Sequence, residues 1–240
     1  MKRVLWPLGL LVVFVIFLLV KAPVWLVSDQ VVKNVPGLEL GGVDGSLWHG
    51  HVQSLNYQGI TAQSLNWDLQ VLGFLGGWPL TVSVEQPLTL QAELGLAENQ
   101  QLKVRRLKAN GDIAPLLIAA GLPTMGFEGQ YSAMIDSAVL GPNGCQTVVG
   151  EFTVSGLRGD VDGIDMLGSI PAVLACRGNA LQISIDGNNP AKVRGQLRIP
   201  FNGRVSGRVT LTPPPSSALH TSLQQFLGRP KNGKDFILSL

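Results

Sequence analysis

Apolar and polar residues alternate over most of this chain, and glycine and proline interrupt the alternation at short intervals. The segment QSLNYQ at residues 53–58 returns almost unchanged as QSLNWD at residues 63–68. A return of this length with a turn between the copies is the spacing of neighbouring antiparallel strands. The apolar pair Leu55 and Tyr57 of the first copy has matching apolar residues in the second, so both strands are expected to present them on one face. The pattern predicts a meander with one solvated face.

The alternation continues to residue 211 and predicts a mainly β fold. Further strands are expected in residues 80–94, 101–110, 127–139, 145–155, 180–186 and 192–211, the last divided by a hairpin turn at Asn202-Gly203, with a closing strand at 235–240. The phase of the alternation slips at Arg105-Arg106, which predicts a β-bulge. Apolar spacing predicts two short helices, at 111–123 and 217–228. We expect an antiparallel curved β-sheet or sandwich, with residues 111–126 as the junction if it divides into two β halves.

The N-terminus carries an uncharged apolar run at residues 4–20, between Lys2-Arg3 and Lys21. At about 1.5 Å per residue this run spans about 25 Å, and the apolar residues up to Val27 add length. The sequence therefore predicts one transmembrane anchor over residues 4–27, with residues 1–3 in the cytoplasm and residues 28–240 exported. A cleaved signal peptide is the alternative, although a proline after the potential cleavage site disfavours processing.

Export changes how the charges and cysteines are interpreted. Removing Lys2, Arg3 and Lys21 from the 18 basic residues leaves 15 against 16 acidic ones, a net charge of −1. This balance gives no reason to expect a nucleic-acid partner. Cys145 and Cys176, the two cysteines of the chain, would lie in an oxidising compartment, which favours a disulfide over two separately buried thiols.

The residues suited to catalysis or metal binding do not form a recognisable set. His49 and His51 would share one face of a strand, but a zinc site needs further ligands and the third histidine, His220, falls on a predicted helix. The acidic run DVDGID at 160–165 lacks the glycine and glutamate positions of a calcium loop. No nucleophile elbow, phosphate loop or dinucleotide fingerprint occurs. We therefore expect polar-face histidines, acidic turn residues, and a protein that is not an enzyme and has no cofactor or metal.

Several short motifs together carry a family resemblance. They are V-x-G-S-L-W-x-G (Val43, Gly45, Ser46, Leu47, Trp48 and Gly50), L-x-W-x-L (Leu65, Trp67 and Leu69), Cys145 before a strand containing Gly150, the strand start Cys176 to Leu181, and a C-terminal helix ending in Leu227-Gly228. In this combination the chain resembles the type II secretion system protein N family. The resemblance implies an inner-membrane protein with a periplasmic β-domain, accessory to the machine that moves folded proteins across the outer membrane. A weaker likeness to AsmA-type periplasmic β-groove proteins implies a lipid-binding or hydrophobe-binding groove as the alternative.

The tryptophan and glycine motifs are interpreted as architecture. Trp48 and Trp67 are expected to cap one end of the buried sheet face, while Gly45 and Gly50 permit the turn into the strand. We expect contacts with other secretion-system proteins, and with membrane lipid through the anchor. The candidate contact surfaces are the strand edge with Leu88 and Leu90, within residues 88–94, and the helix with Leu219, Leu223 and Phe226.

Overall fold

The computed structural model describes Phe14, Phe17 and residues 21–57, 60–97, 99, 101–119, 126–190, 192–201 and 204–240. The chain divides into two compact units, which we call unit 1 (residues 1–86) and unit 2 (residues 87–240). In each unit the order of strands in the sheet is their order in the chain. The mainly β, antiparallel architecture is confirmed, and the strands of each unit form a sheet rather than a two-sheet sandwich.

Unit 1 is a helix followed by a four-stranded antiparallel meander. Its elements are α1 (Trp25–Asn34), β1 (Leu38–Gly45), β2 (His49–Tyr57), β3 (Ile60–Leu69), α2 (Gly73–Gly76) and β4 (Leu80–Val84). The strands that carry the two copies of the repeated segment pair with each other, with Val52 opposite Leu65 and Ser54 opposite Gln63. The copies therefore lie on neighbouring antiparallel strands, as their spacing predicts.

Unit 2 is a longer antiparallel meander that begins with β5 (Leu88–Ala97). It continues with β6 (Gln101–Asp112), α3 (Ile113–Ala119), β7 (Glu128–Gly141), β8 (Gly144–Arg158), a 3-10 helix (Ile164–Leu167), β9 (Ile170–Arg177), β10 (Ala180–Asp186), β11 (Arg194–Pro200), β12 (Ser206–Leu211), α4 (Ala218–Leu227) and β13 (Phe236–Ser239). The sequence pattern missed β9. Residues 111–126 do not separate two halves, because β6 pairs with β7 from Leu102 to Asp112 and both lie within unit 2.

Among the residues that the structure describes, four short α-helices have defined bounds, where the sequence predicted two short helices. The predicted helices correspond to α3 and α4, while α1 and α2 were missed. Helix α1 occupies the C-terminal end of the predicted anchor and extends past it to Asn34. Apart from Phe14 and Phe17, residues 4–20 of that anchor lie outside the described residues, as do Asn202 and Gly203 of the predicted hairpin turn. Within the described part of the chain, no helix is long and apolar enough to cross a membrane.

The β-bulge predicted from the phase slip is present in β6. Arg106 has a φ of +50°, and the register between β5 and β6 shifts by one residue beside it. The bulge brings two guanidinium groups to one carboxylate: Arg105 Nε lies 2.6 Å from Glu93 Oε2, and Arg106 Nε lies 3.1 Å from Glu93 Oε1. The two ion pairs to Glu93 thus stabilise the bulge that the extra residue produces.

The main core of unit 2 lies where α4 packs against the C-terminal strands. Its buried members are Val161, Leu167, Ile170, Val193, Leu211, Leu219, Leu223 and Phe236. Ser217 caps the helix by accepting a hydrogen bond from the backbone N–H of His220 at 3.2 Å. Asn189, also buried, lies in the connection between β10 and β11. Its side-chain amide donates to the carbonyl oxygen of Val193, and its Oδ1 accepts from the Val193 N–H. Hydrogen bonds of Ser217 and Asn189 therefore fix the backbone at two points beside this apolar cluster.

Candidate functional site

The spacing of tryptophan and glycine in the entry motif has a direct steric cause. Gly45 has a φ of +101°, and a Cβ there would lie 2.6 Å from the carbonyl oxygen of His49. A Cβ on Gly50 would overlap the six-membered ring of Trp67. Trp67 Nε1 donates a hydrogen bond to the carbonyl oxygen of Leu47 at 3.1 Å. The indole ring therefore lies across Gly50, with its polar edge fixed to the turn between β1 and β2.

Helix α1 is tied to the sheet of unit 1 at both ends. At its start, the Val24 N–H donates to the Gly45 carbonyl at 3.4 Å and the Leu47 N–H donates to the Ala22 carbonyl at 2.9 Å. At its end, the Leu38 N–H donates to the Val35 carbonyl at 3.1 Å, which leads directly into β1. The helix is thus held beside β1 by backbone hydrogen bonds.

An apolar cavity of about 410 Å³ lies between α1 and the sheet of unit 1. Val24, Ser28 and Val31 line it from the helix, at the spacing that places side chains on one helical face. The lining residues from the sheet and its turn are all apolar: Leu38, Leu40, Val43, Leu47, Val52, Leu55, Leu65, Trp67, Leu69, Leu80 and Val82. With Ser28 as the polar exception, the site can hold an apolar molecule but offers no set of groups for acid–base chemistry.

The lining of this cavity depends on a local departure from strand alternation. Leu40 and Val43 both face the cavity, although three residues of regular strand would place them on opposite faces. Gly42, between them, has a φ of +64°, and Ser64 has a φ of +56°. Across β1, β2 and β3, Val43 lies opposite Val52 and Val52 opposite Leu65; likewise Gly41 lies opposite Ser54 and Ser54 opposite Gln63. The residues between these two rows, Gly42, Gln53 and Ser64, therefore form one row across the sheet. At this row the alternation of side chains between the two faces of the sheet is reversed. Apolar residues that precede the row and apolar residues that follow it therefore line the same cavity.

This row corrects one detail of the sequence interpretation. Strict alternation assigned Val52 and Leu55 to opposite faces of β2, whereas both line the cavity. Leu65 and Trp67 of the second copy share that face, as expected. Tyr57 is exposed and does not line the cavity, because it lies at the far end of β2.

Four large apolar side chains are exposed in the connection between β3 and β4. We call this segment the apolar tip; it consists of Val71, Leu72, Phe74 and Leu75, which are exposed by 62%, 79%, 57% and 89%. No residue from 70 to 79 is charged. The sequence analysis did not identify this segment, although the letters VLGFLGGW show an uncharged apolar loop bounded by glycine.

The histidines of β2 are hydrogen-bonded across the sheet to β3. His49 Nδ1 lies 3.0 Å from Asp68 Oδ2, and His51 Nδ1 lies 2.8 Å from Asn66 Oδ1. Each ring thus has its own partner on the polar face, in agreement with their interpretation as polar-face residues. Among the residues that the structure describes, no group of three His, Cys, Asp or Glu side chains could hold a metal ion.

The predicted disulfide between Cys145 and Cys176 is confirmed. It joins the start of β8 to the end of β9, and the two Cα atoms are 5.6 Å apart. The Cys145 N–H also donates to the carbonyl of Asn179 at 3.2 Å. The bond closes a loop across 31 residues and constrains the unfolded chain.

The residues expected to form contact surfaces have different environments. Leu219 and Leu223 are buried in the core of unit 2, so they are not accessible to a partner in this fold. Phe226, on the same helix, is 60% exposed. Leu88 and Leu90 of β5 are half-buried, and Leu90 packs against the small cluster of Ala92, Val104 and Ala138. Phe226 is therefore the accessible member of the set.

Comparison with known proteins assigns the family. The family model of the type II secretion system (T2SS) protein N matches residues 36–237, a range that includes the cavity strands, the disulfide and the C-terminal core. The chain belongs to the type II secretion system protein N family. A curated relative, the type II secretion system protein N of Vibrio cholerae serotype O1, is 44% identical over 41 residues, which are 17% of this chain and 16% of the relative. No solved structure matches the chain.

Membership of the protein N family supports the involvement of this chain in type II secretion, and the predicted resemblance is confirmed. The match begins at residue 36, after α1. It therefore covers the sheet side of the cavity, from Leu38 to Val82, but not the residues that α1 contributes.

Proposed function

We propose that this protein is a non-enzymatic inner-membrane component of the type II secretion machinery, with its β units in the periplasm. It is held by the anchor predicted in residues 4–27, whose last residues, from Ala22 onward, enter unit 1. The observation that carries the proposal is the family match over residues 36–237. The cross-linked cysteines support the periplasmic location, because disulfides persist in oxidising compartments. The protein acts through contacts with other secretion-system proteins and assists export of folded proteins across the outer membrane.

The accessible end of α4 is the surface we assign to a protein contact. Phe226 and Leu227 are both exposed at the end of a helix whose other two leucines, Leu219 and Leu223, are buried. An exposed aromatic side chain beside a second apolar one is the type of residue that anchors protein interfaces. Because the exported region has a net charge near zero, contact depends on apolar burial more than on long-range steering.

Photo-crosslinking in cells with an intact secretion system tests this assignment. A photoreactive amino acid at position 226 is expected to trap another secretion-system protein, identified by mass spectrometry. The same amino acid at Thr221, which is exposed on a different face of α4, is the matched control. Equal yields at both positions, or none at 226, would contradict the assignment. The parent proposal has its own test: deletion of the chain should reduce the amount of secreted protein in the medium, and full-length chain should restore it.

The cavity in unit 1 favours a second candidate function, the binding of a lipid or another apolar molecule. Its volume of about 410 Å³ lies within the range of small-molecule sites, and its lining is apolar apart from Ser28. Solvent extraction of the purified full chain, followed by mass spectrometry, should recover an apolar molecule. Leu55→Trp, which fills the cavity, should abolish the recovery. A chain from which no apolar molecule is extracted would contradict this candidate without affecting the secretion proposal.

A further inference from the structure

The apolar tip and the chain's entry into unit 1 lie at the same end of the sheet. The Leu47 N–H donates to the Ala22 carbonyl at 2.9 Å, which places the residue after Lys21 against the turn between β1 and β2. The neighbouring Trp48 carbonyl accepts from the Leu69 N–H at 2.6 Å, at the last residue of β3. The tip begins two residues later. Two strand spacings of about 4.8 Å therefore separate the entry of the chain from the base of the tip.

Several backbone groups of the tip are hydrogen-bonded within the segment itself. Phe74 N–H donates to the Val71 carbonyl at 3.3 Å, and Leu75 N–H donates to the Leu72 carbonyl at 3.2 Å. Farther along, Trp78 N–H donates to the Gly73 carbonyl at 2.9 Å, which closes the turn. A segment that enters an apolar medium must pair its backbone groups internally, because no water is present to do so. The tip pairs the backbone groups named above within itself, while its four apolar side chains are exposed.

The composition around the tip is that of a membrane interface. Residues 70–79 contain no charge that would have to be desolvated. Trp25, the first residue of α1, is 62% exposed and lies just after the entry point. Tryptophan is enriched at the boundary between lipid and water. Contiguous exposed apolar residues of this number mark a contact surface, whereas scattered single ones do not.

We propose that the apolar tip inserts into the periplasmic interface of the same membrane that holds the N-terminal anchor. This insertion gives unit 1 a second attachment point. The inference rests on the proposed anchor, because Ala22, which directly follows Lys21, is hydrogen-bonded to the turn at the same end of the sheet as the tip. A short apolar loop binds lipid weakly by itself, but a tether keeps it at high local concentration near the bilayer. Two attachment points fix the orientation of unit 1 relative to the membrane surface, which one flexible tether cannot do.

The test places a fluorescent label on the tip of the full chain. Leu75→Cys supplies the attachment site, and the native cysteines do not react because they are joined in the disulfide. Thr61→Cys is the matched control, because Thr61 is exposed on β3 at the end opposite Leu69. Each variant carries an environment-sensitive dye and is reconstituted in phosphatidylethanolamine and phosphatidylglycerol vesicles, with and without nitroxide-bearing phospholipid. Flotation of the vesicles reports anchoring separately.

The expected result is a blue-shifted dye on Leu75→Cys that loses about half of its emission to the nitroxide lipid, while the dye on Thr61→Cys stays water-like and unquenched. If the chain floats with the vesicles but the dye on Leu75→Cys emits as it does in water, the second attachment is overturned and the anchor is not. A blue-shifted dye without quenching would mean that protein, not lipid, covers the tip, and would overturn the proposal. Equal quenching at both positions would also overturn it, because contact would not be specific to the tip. A chain that does not float would refute the anchor and the second attachment together.

Discussion

Replacement of Leu219 by alanine should destabilise unit 2 strongly, because this side chain lies in the core and not on a contact surface. Leu219 is 2% exposed and packs in the cluster that includes Phe236. Substitution of a buried leucine by alanine costs about 2–5 kcal/mol, depending on how far the surroundings collapse into the space. The turn at Gly163 already touches the helix: a Cβ there would lie 2.6 Å from the backbone nitrogen of Leu219. Since this neighbour cannot move closer to the helix backbone, we expect a loss of about 3–4 kcal/mol.

The matched control is Phe226→Ala on the same helix. Phe226 is 60% exposed, so its removal creates no cavity and should change the free energy of unfolding by less than about 0.5 kcal/mol. Urea unfolding of the purified full chain in detergent, followed by far-ultraviolet circular dichroism, measures both variants. With a slope of about 2 kcal/mol per molar urea, Leu219→Ala should lower the midpoint by about 1.5–2 M.

Tryptophan fluorescence separates the two units in the same experiment. All five tryptophans of the chain lie in residues 1–86, so their emission reports on unit 1. Similar midpoints for Leu219→Ala and Phe226→Ala would refute the reasoning, because they would mean that the burial of Leu219 does not determine its energetic role. A loss below about 1 kcal/mol for Leu219→Ala would do the same.

Three further outcomes follow from other contacts. Replacing Cys145 and Cys176 by serine should lower the free energy of unfolding by about 3–4 kcal/mol, measured by urea unfolding; an unchanged midpoint would argue that the bond does not constrain the unfolded chain. Gly50→Ala should cost about 2 kcal/mol or more because the new methyl group overlaps the Trp67 ring, and a shift in tryptophan emission should accompany the loss; wild-type emission and stability would contradict this. Burial raises the pKa of the Tyr131 phenol, so the unfolded chain loses that proton first; stability should be full below about pH 10 and fall above it, and Tyr131→Phe should lessen the fall in urea midpoints between pH 9 and 11.

Most of the strands and the bulge could be predicted because each depends on local sequence, and the disulfide could be predicted from the cysteine count and the expected export of the chain. A phase slip at Arg106 needs only the apolar pattern of β6 to be seen, and pairing of Cys145 with Cys176 needs only their number and compartment. The C-terminal helix was predicted from apolar spacing for the same reason. Its spacing could not separate core from surface, since Leu219 and Phe226 lie on one apolar stripe. The last turn of the helix, with Phe226, extends beyond the core, and this boundary can be seen only in the packed structure.

The cavity could not be predicted, because it depends on two features that the apolar pattern does not signal: the positive φ in the row of Gly42 and Ser64, and helix α1. A positive φ at Ser64 is unusual for a residue with a side chain, and nothing in the letters around it signals that conformation. Helix α1 was missed for another reason. Its first residues continue the apolar N-terminal run, so Trp25 was counted with the anchor. Val24, Ser28 and Val31 do have helical spacing, which was the available signal for a face that covers the sheet.

The position of Trp67 explains why the family motif links distant segments of sequence. Its ring rests on Gly50 and lines the cavity, and its nitrogen donates to the carbonyl of Leu47. The N–H of Leu47 in turn donates to Ala22, where the N-terminal segment enters the fold. One side chain thus couples the cavity wall, the first turn and the entry of the chain. Variants at Gly50 should therefore disturb the cavity and the entry of the chain together. Variants at Cys145 remove the disulfide of unit 2, and their effect on the free energy of unfolding should add to that of the Gly50 variants.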